Sequence, residues 1–474
     1  MTPSPQTPRA RRSRTGRTPR RLNGRLGLSS LVLATAAALL ASGLVAGTSV
    51  SAQATPAHLN PKKGALFNNP YGGRVAAHRI ENHIVQTIDS VKKGHKIRIA
   101  SWNFRSNTIA NALIRAHKRG VSVQVLMDYG NWNPDLPNYI ARRVHNALEH
   151  GDKHRKPDMK SWLKRCRGAC RGHHGIAHVK FYTFDKVQKT KDVVMYGSTN
   201  ATELAASIQW NDIYTVTKSA PKYQAFIQVF NQMKHDKAVK QGYEHYSWGK
   251  GRFQLDFYPY TGKGTNQDPT LRVLNNVRCT GATKGTGIGG HTKIRIAQTA
   301  TYGDRGINLA NRLAAMKKRG CNIRLVYAMF GGRAVKILRA AHVPLTHLAY
   351  DINCDGIYDR YLHMKSMTVS GVFGKNTHAR ITWNGSANWT PVSLASDEVV
   401  GRIQKGTTTA KYANWIDYLS THVPASWLPG HCDDTGTVGP DGDIASNPLA
   451  GNHSVMARAR LLKVDPYELM RKDL

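Results

Sequence analysis

Acidic side chains are scarce in this chain. Only 29 Asp and Glu stand against 68 Lys and Arg in 474 residues, a formal charge of +39. Long apolar runs are almost missing: one stretch, Leu26 to Gly47, is long enough to concern a bilayer, which excludes a polytopic membrane protein. The 42 Gly and 20 Pro show no short period, which excludes collagen-like and low-complexity architectures. Aromatics are only 8%, but 41% hydrophobic residues exclude a wholly disordered chain and leave ample material for a core. Cysteine is sparse, and no pair of CxxC sets is present, which argues against a zinc site.

The first 25 residues hold eight arginines and no acid, followed by the apolar stretch and then by the small-residue site Ala52-Gln53-Ala54. This order is that of a secretory signal peptide over residues 1–54, cleaved after Ala54, and it makes the mature protein secreted; an uncleaved anchor is the rival reading. Removal of the eight arginines takes +39 to +31, more than solubility needs. Such a surface attracts polyanions: nucleic acid, anionic lipid or an acidic wall polymer. All six cysteines follow the leader (Cys166, Cys170, Cys279, Cys321, Cys354, Cys432), and in an exported chain they read as disulfides, with Cys166–Cys170 able to form a tight clip. Six cysteines allow 15 pairings, and the spacing does not choose among them.

The chain contains itself twice. Lys96-Ile97-Arg98-Ile99-Ala100 leads through an apolar-periodic stretch to Lys118-Arg119-Gly120 and an alternating run from Val121 to Leu126. Lys293-Ile294-Arg295-Ile296-Ala297 leads likewise to Lys318-Arg319-Gly320 and a run from Cys321 to Val326. Each copy reads strand, amphipathic helix, glycine stop, strand, which predicts a parallel pair with a right-handed crossover. An earlier strand and helix also repeat: Leu66–Pro70 before a helix near Ile80–Val91, and Leu255–Pro259 before one near Leu271–Val277. The offset is 197 residues at Lys96/Lys293 and 189 at Pro70/Pro259, the length of a whole domain. The expected organisation is therefore a first α/β domain over 56–245, a second over 250–430, a connection within 242–265, and a tail over 433–474.

Candidate chemistry sits at equivalent places in the copies. His178-Val179-Lys180 is followed by Asp185, then Gly197-Ser198-Thr199-Asn200, then Asn211-Asp212. His363-Met364-Lys365 is followed by Gly385-Ser386-Ala387-Asn388, then Asp397-Glu398. On a strand, His and Lys two apart share a face, so a nucleophilic imidazole and a fixed cation point together. The glycine turn adds Ser and Asn donors on tight backbone. Donors and an ammonium around a histidine suit a phosphate, and a later acid can bond the other ring nitrogen and set the tautomer. Two such half-sites put one histidine on each side of a single phosphorus, the arrangement for in-line displacement with acid assistance.

This pattern resembles the phospholipase D superfamily, whose signature HxKx4D followed by GSxN occurs twice in a pseudo-symmetric chain; the likeness covers most of residues 65–430. It implies a duplicated phospholipase D-like α/β fold, each copy a mixed, mostly parallel sheet flanked by helices, with the active site at the pseudo-twofold interface. It implies a phosphodiesterase with His178 as nucleophile through a phosphohistidine and His363 as acid and base. Lys180, Lys365, Asn200 and Asn388 would hold the phosphoryl oxygens, Ser198 and Ser386 would assist as phosphate-binding residues, and Asp185 would be a support. Asp212 and Glu398 would orient the imidazoles, with Asp397 as the near alternative. No metal or other cofactor is required. Ser370 stands where the second motif would carry its Asp, which puts that copy's support in doubt rather than its activity.

The substrate expected first is a phospholipid headgroup, released by hydrolysis or transferred, with peripheral contact at a membrane surface and the protein acting as a monomer. A metal-independent nuclease is the alternative, and a wall protein binding polyanions through a dead site is the third reading. A basic insert, His154 to His174, feeds into the first HxK strand and reads either as a contact to the substrate's anionic surroundings or as a clipped solvent loop. Asp351–Gly356 partly matches a calcium loop, but position twelve is Leu362, so a turn with local Asx bonds is the better reading.

Overall fold

The computed structural model describes residues 59–422 except 153, 263, 265, 266 and 351–357. The leader, the Asp351–Gly356 loop, Cys354, Cys432 and the 433–474 tail lie outside the described residues.

The repeat read from the sequence is realised strand for strand. Lys96–Ser101 and Ser122–Asp128 pair in parallel with Lys96 opposite Ser122, joined through the helix Asn107–Lys118. Lys293–Thr301 and Asn322–Phe330 pair in parallel with Lys293 opposite Asn322, joined through Gly303–Lys318. Ser106 caps the first of these helices by accepting from the Ile109 N–H at 3.0 Å. The earlier helices form at Arg79–Asp89 and Pro269–Asn275.

Each copy builds one mixed sheet. In the first, the order is Gly64–Phe67, Asp212–Val216, Thr190–Gly197, Phe181–Val187, Lys96–Ser101, Ser122–Asp128, Trp162–Cys166. Parallel pairing is confined to the last three strands, and the other neighbours are antiparallel, fewer parallel pairs than expected. The reason is local: the strand after each HxK turns straight back, as in Phe181–Val187 to Thr190–Gly197, and a tight turn can join only antiparallel strands. The second sheet repeats this arrangement, with Phe253–Phe257 in the place of Gly64–Phe67, and gains one strand, Glu244–Trp248, paired to it as a hairpin. The 242–265 segment, expected as a connection, therefore supplies two strands of the second sheet.

The layers explain where the site lies. An outer core packs Ile80, Ile84, Leu113 and Val144 against the first sheet, and another packs Leu274, Leu309, Leu313 and Leu338 against the second. The central core lies between the sheets and includes the helices Ala220–Met233 and Gly406–Thr421. Each helix reaches the other copy: Phe226 meets Phe257 edge-on at 5.1 Å, and Tyr412 meets Phe67 edge-on at 4.9 Å. Burying both inner faces in one core holds the two copies in a single register.

Two disulfides are present among the described residues, Cys166–Cys170 and Cys279–Cys321. The second ties the segment before Lys293 to the residue after the crossover glycine, closing the repeat's own strand–helix–strand unit.

Candidate active site

The two copies exchange short strands beside their histidines. Gln209-Trp210 pairs in parallel with Tyr361-Leu362, the residues just before His363. Asp397 forms a parallel bridge with Ala177, the residue just before His178. The His363 N–H donates to Trp210 O at 2.9 Å, and the Asp397 N–H donates to Ile176 O at 3.0 Å. Each HxK thus lies against the segment that follows GSxN in the opposite copy.

This exchange decides the partners of the imidazoles. His178 Nδ1 donates to Glu398 Oε1 at 2.8 Å, across the interface. His363 Nδ1 donates to Asn211 Oδ1 at 2.9 Å, also across the interface. The Asn211 amide orientation is fixed by its neighbours: Nδ2 donates to Ala205 O at 3.0 Å, and Ser198 Oγ donates to Oδ1 at 2.8 Å. With both Nδ1 atoms used as donors, Nε2 is the working nitrogen of each ring.

Asp212 is therefore corrected as an imidazole-orienting acid. Its Oδ2 accepts from Asn384 Nδ2 at 3.0 Å and from the Tyr412 hydroxyl at 2.7 Å, so it joins the copies behind the site. Strand register gives the cause. Ile213 lies opposite Gly197 and Val400 opposite Gly385, which makes Asn211, not Asp212, the counterpart of Glu398. Asp397 takes no imidazole either; its Oδ2 accepts from the Cys170 N–H.

The serines of the GSxN turns are corrected as well. The Ser198 hydroxyl accepts from the Asp212 N–H at 3.0 Å and spends its proton on Asn211. The Ser386 hydroxyl accepts from the Val399 N–H at 3.0 Å and bonds Glu398. Both hydroxyls brace the orienting residues rather than reach toward a phosphate. The turn glycines are set by close approach: a Cβ on Gly197 would sit 2.3 Å from Asp212 O, and one on Gly385 would sit 1.9 Å from Val399 O.

Asp185 lies at the far end of its strand, where it accepts from the Lys96 N–H at 2.8 Å and bonds His95 at 3.0 Å. It ties the ends of two inner strands of the sheet together and bonds none of the site residues. Ser370 has the same register, opposite Lys293, and there Lys293 Nζ bonds Asp417 at 2.8 Å instead. The position without its Asp thus lies at a strand end whose lysine has another acid as partner.

The electrostatics are those of a buried cluster of basic groups, each pushed toward its neutral form by burial. His178, Lys180, His363, Lys365, Asn200, Asn388 and Glu398 are all buried. Lys180 Nζ bonds His178 O, and Lys365 Nζ bonds His363 O at 2.7 Å. Burial lowers His178 to about 4, against the pull of Glu398. Burial lowers Lys180 to about 7, with Glu398 and Asp128 opposing. His363 is held well below its usual value by burial and then by Lys365, Lys180 and His178. Burial pushes the Glu398 carboxyl up, but His178, Lys180 and Ser386 outweigh it and keep it ionised. That each histidine feels the other copy's lysine places both half-sites in one field. Asn388 holds Ala300 N–H on its oxygen at 3.2 Å, and its Nδ2 donor has no partner among the described residues.

Sequence reasoning missed Asn211 as a functional residue, along with two rings: Trp102, edge-on to His178 at 5.6 Å, and Tyr361, edge-on to His363 at 5.9 Å. Counting from each GSxN turn by strand register, rather than searching for the next acid, would have found Asn211. The basic insert is not one loop. Trp162–Cys166 is an edge strand, and Arg171 is buried, bonded to Glu244 Oε1, Gln232 Oε1 and the carbonyls of Gly242 and Tyr258.

Two lysines and two histidines, buried, within one another's electrostatic reach and held by crossed side-chain bonds, make a site suited to phosphodiester chemistry. Residues 84–234 match the domain family described as "Cardiolipin synthase, PLD-like domain". That match takes in about a third of the chain, over the first copy of the repeat, where the chain carries a phospholipase D-like domain. No curated protein sequence matches it. Among solved structures it is similar to phosphatidylserine synthase of Haemophilus influenzae, at 12% identity and TM-score 0.46, over 73% of this chain and 84% of that one. It is similar to the phospholipase D family member Nuc of Salmonella typhimurium, at 19% identity and TM-score 0.28, over 38% of this chain and all of that one. It is similar also to polyphosphate kinase of Porphyromonas gingivalis, at 12% identity and TM-score 0.47, over 75% of this chain but only half the length of that one.

Proposed function

We propose that this protein is an exported hydrolase that cleaves phosphodiesters through a phosphohistidine, with the repeats over 56–245 and 250–430 as its paired domains. The observation that carries the reading is the crossed pairing, His178 with Glu398 and His363 with Asn211. The two partners differ in charge, and this separates the roles. His178 Nε2 attacks phosphorus, the bond from phosphorus to the leaving oxygen breaks, and the ring becomes cationic while Glu398 stays opposite as a carboxylate. His363 Nε2 gives its proton to the leaving oxygen. A neutral amide at its Nδ1 lets His363 give up that proton more readily than a carboxylate would. His363 then takes a proton from water, the hydroxide attacks phosphorus, and the phosphorus–nitrogen bond to His178 breaks. An anionic phosphate between Lys180 and Lys365 offsets the charge that depresses His363 in the empty site, so substrate binding loads the acid. Export is supported by the arginine-rich leader sequence and by the two disulfides.

Asn200 and Asn388 are assigned to the phosphoryl oxygens. Replacing either with Ala is expected to lower kcat by about two to three orders of magnitude, as loss of one preorganised donor does. A negligible change in steady-state kinetics would remove that residue from the site.

The pH profile follows from the buried groups. His178 attacks only when neutral, so kcat/KM falls as pH drops toward about 4. His363 must carry its proton and Lys180 its charge, so kcat/KM also falls as pH rises, first through the depressed value of His363 and again past about 7. The profile of kcat/KM reports the free enzyme, whereas bound phosphate moves the alkaline limb of kcat upward. A kcat/KM profile flat well above neutrality would contradict this assignment.

A phospholipid headgroup and a nucleic acid both present the diester this chemistry needs. Assaying vesicles, single- and double-stranded DNA and RNA side by side in EDTA distinguishes them. Turnover only with added divalent metal would contradict the mechanism.

A further inference from the structure

Trp162–Cys166 is one of the two edge strands of the first sheet, and its cations lie on rings. The Arg165 guanidinium sits 4.4 Å from the Trp132 ring centre and 5.0 Å from that of Tyr129. Arg167 lies 5.2 Å from Tyr129, and Lys164 lies 5.0 Å from Trp162. None of these three cations forms an ion pair among the described residues. Cations on an edge strand also discourage edge-to-edge pairing. That role needs no aromatic partners and no adjoining groove, and this edge has both. On its inner side Lys164 borders a groove of about 390 Å³ that also contains Lys96, Arg98, Lys234 and His235. The groove's one acid, Asp158, is already bonded to Lys96 at 2.9 Å.

The edge leads to the active site. Asp128, next to Tyr129, accepts from the Ala177 N–H at 3.1 Å, one residue before His178. The chain from Arg167 runs through the Cys166–Cys170 clip into the same segment.

We propose that this ladder of cations and rings is a docking track for a single-stranded polynucleotide. Phosphates meet Lys164, Arg165, Arg167 and the groove cations, while unstacked bases lie on the rings and on the guanidinium planes. A lipid surface would need a contiguous apolar face, but the large exposed apolar side chains among the described residues are scattered: Tyr71, Val75, Tyr139, Ile288 and Tyr418. The track names the substrate class of the phosphodiesterase proposed above and rests on that reading for turnover, but not for binding.

The test uses the full chain carrying His178→Ala, which silences cleavage, and measures fluorescence anisotropy in EDTA. The probes are an oligothymidylate, an abasic oligomer of equal length and phosphatidylglycerol vesicles. The oligothymidylate is expected to bind about ten-fold or more tightly than the abasic oligomer, the effect of even one stacked base. Adding Lys164→Ala and Arg167→Ala, two exposed positions, is expected to flatten the plot of log affinity against log salt by about 1.4, the release from two single-strand phosphate contacts. With His178 restored, that double variant should cleave bis(p-nitrophenyl) phosphate at the unaltered rate while losing polymer cleavage. Equal affinity for both oligomers, an unchanged salt slope, or binding of vesicles alone would each overturn the track. If the base preference and slope hold but the wild-type chain cleaves no diester, the track stands and the phosphodiesterase reading fails. If it cleaves the small diester and shows no base preference, only the track fails.

Discussion

With His178 replaced by Ala, turnover of any phosphodiester is expected to fall by about four to six orders of magnitude, the scale for removing a nucleophile from a concerted unit. The His363→Ala protein should fail equally in steady state but in a different way. With a leaving group that needs no proton, such as p-nitrophenolate, its first step survives. One equivalent of p-nitrophenol should appear in a burst, after which the enzyme stalls with phosphorus on His178, because no base activates water. The His178→Ala protein should show no burst on the same substrate. The asymmetry rests on the partners: a ring that becomes cationic faces Glu398, and a ring that must yield its proton faces Asn211. A burst in the His178→Ala protein would reverse the two roles, and full activity in the His363→Ala protein would remove the two-histidine mechanism.

The second large effect separates two buried acids that the sequence alone treats alike. Glu398→Gln keeps the shape of the side chain but removes the charge that holds His178 in its tautomer and stabilises its cation. The expected fall in kcat is about three to four orders of magnitude, comparable to the loss of the orienting acid in a catalytic triad. Its thermal unfolding midpoint at neutral pH should fall modestly, because the favourable interactions of the carboxylate outweigh its desolvation cost. Asp212→Asn leaves an oxygen to accept from Asn384 and Tyr412 and touches no imidazole. It should change kcat by less than about ten-fold, the bound for a residue outside the reacting constellation. The two variants measured together test the crossed assignment, and comparable losses would refute it.

Much of this site was legible in the chain because its chemistry has a fixed grammar on strands. His178 with Lys180 and His363 with Lys365 are two apart, and that spacing alone commits both members of each pair to one face. The crossover units were legible because glycine ends each helix at equal distance from a strand with the same alternation. The errors came where a side chain's partner belongs to the other copy. Nothing local tells Asp212 from Asn211; the difference appears only when Ile213 is set opposite Gly197 and Val400 opposite Gly385. The roles of Ser198 and Ser386 were misread for the same reason, since a hydroxyl counted as a free donor is already spent on a residue brought near by the fold. Asp185 looked like part of a motif, but five residues of extended strand carry it about 16 Å along the sheet, away from His178 and Lys180. The Glu244–Trp248 hairpin was read as a connection because its Gly and Lys content hides a strand whose apolar faces are only half buried.

The most direct test of the central claim is a rapid-quench experiment on the His363→Ala protein with an activated diester, followed by alkaline peptide mapping by mass spectrometry. The account predicts one phosphoryl adduct per chain, carried on the peptide containing His178. An adduct on another residue, or no adduct while p-nitrophenol is still released, would contradict it.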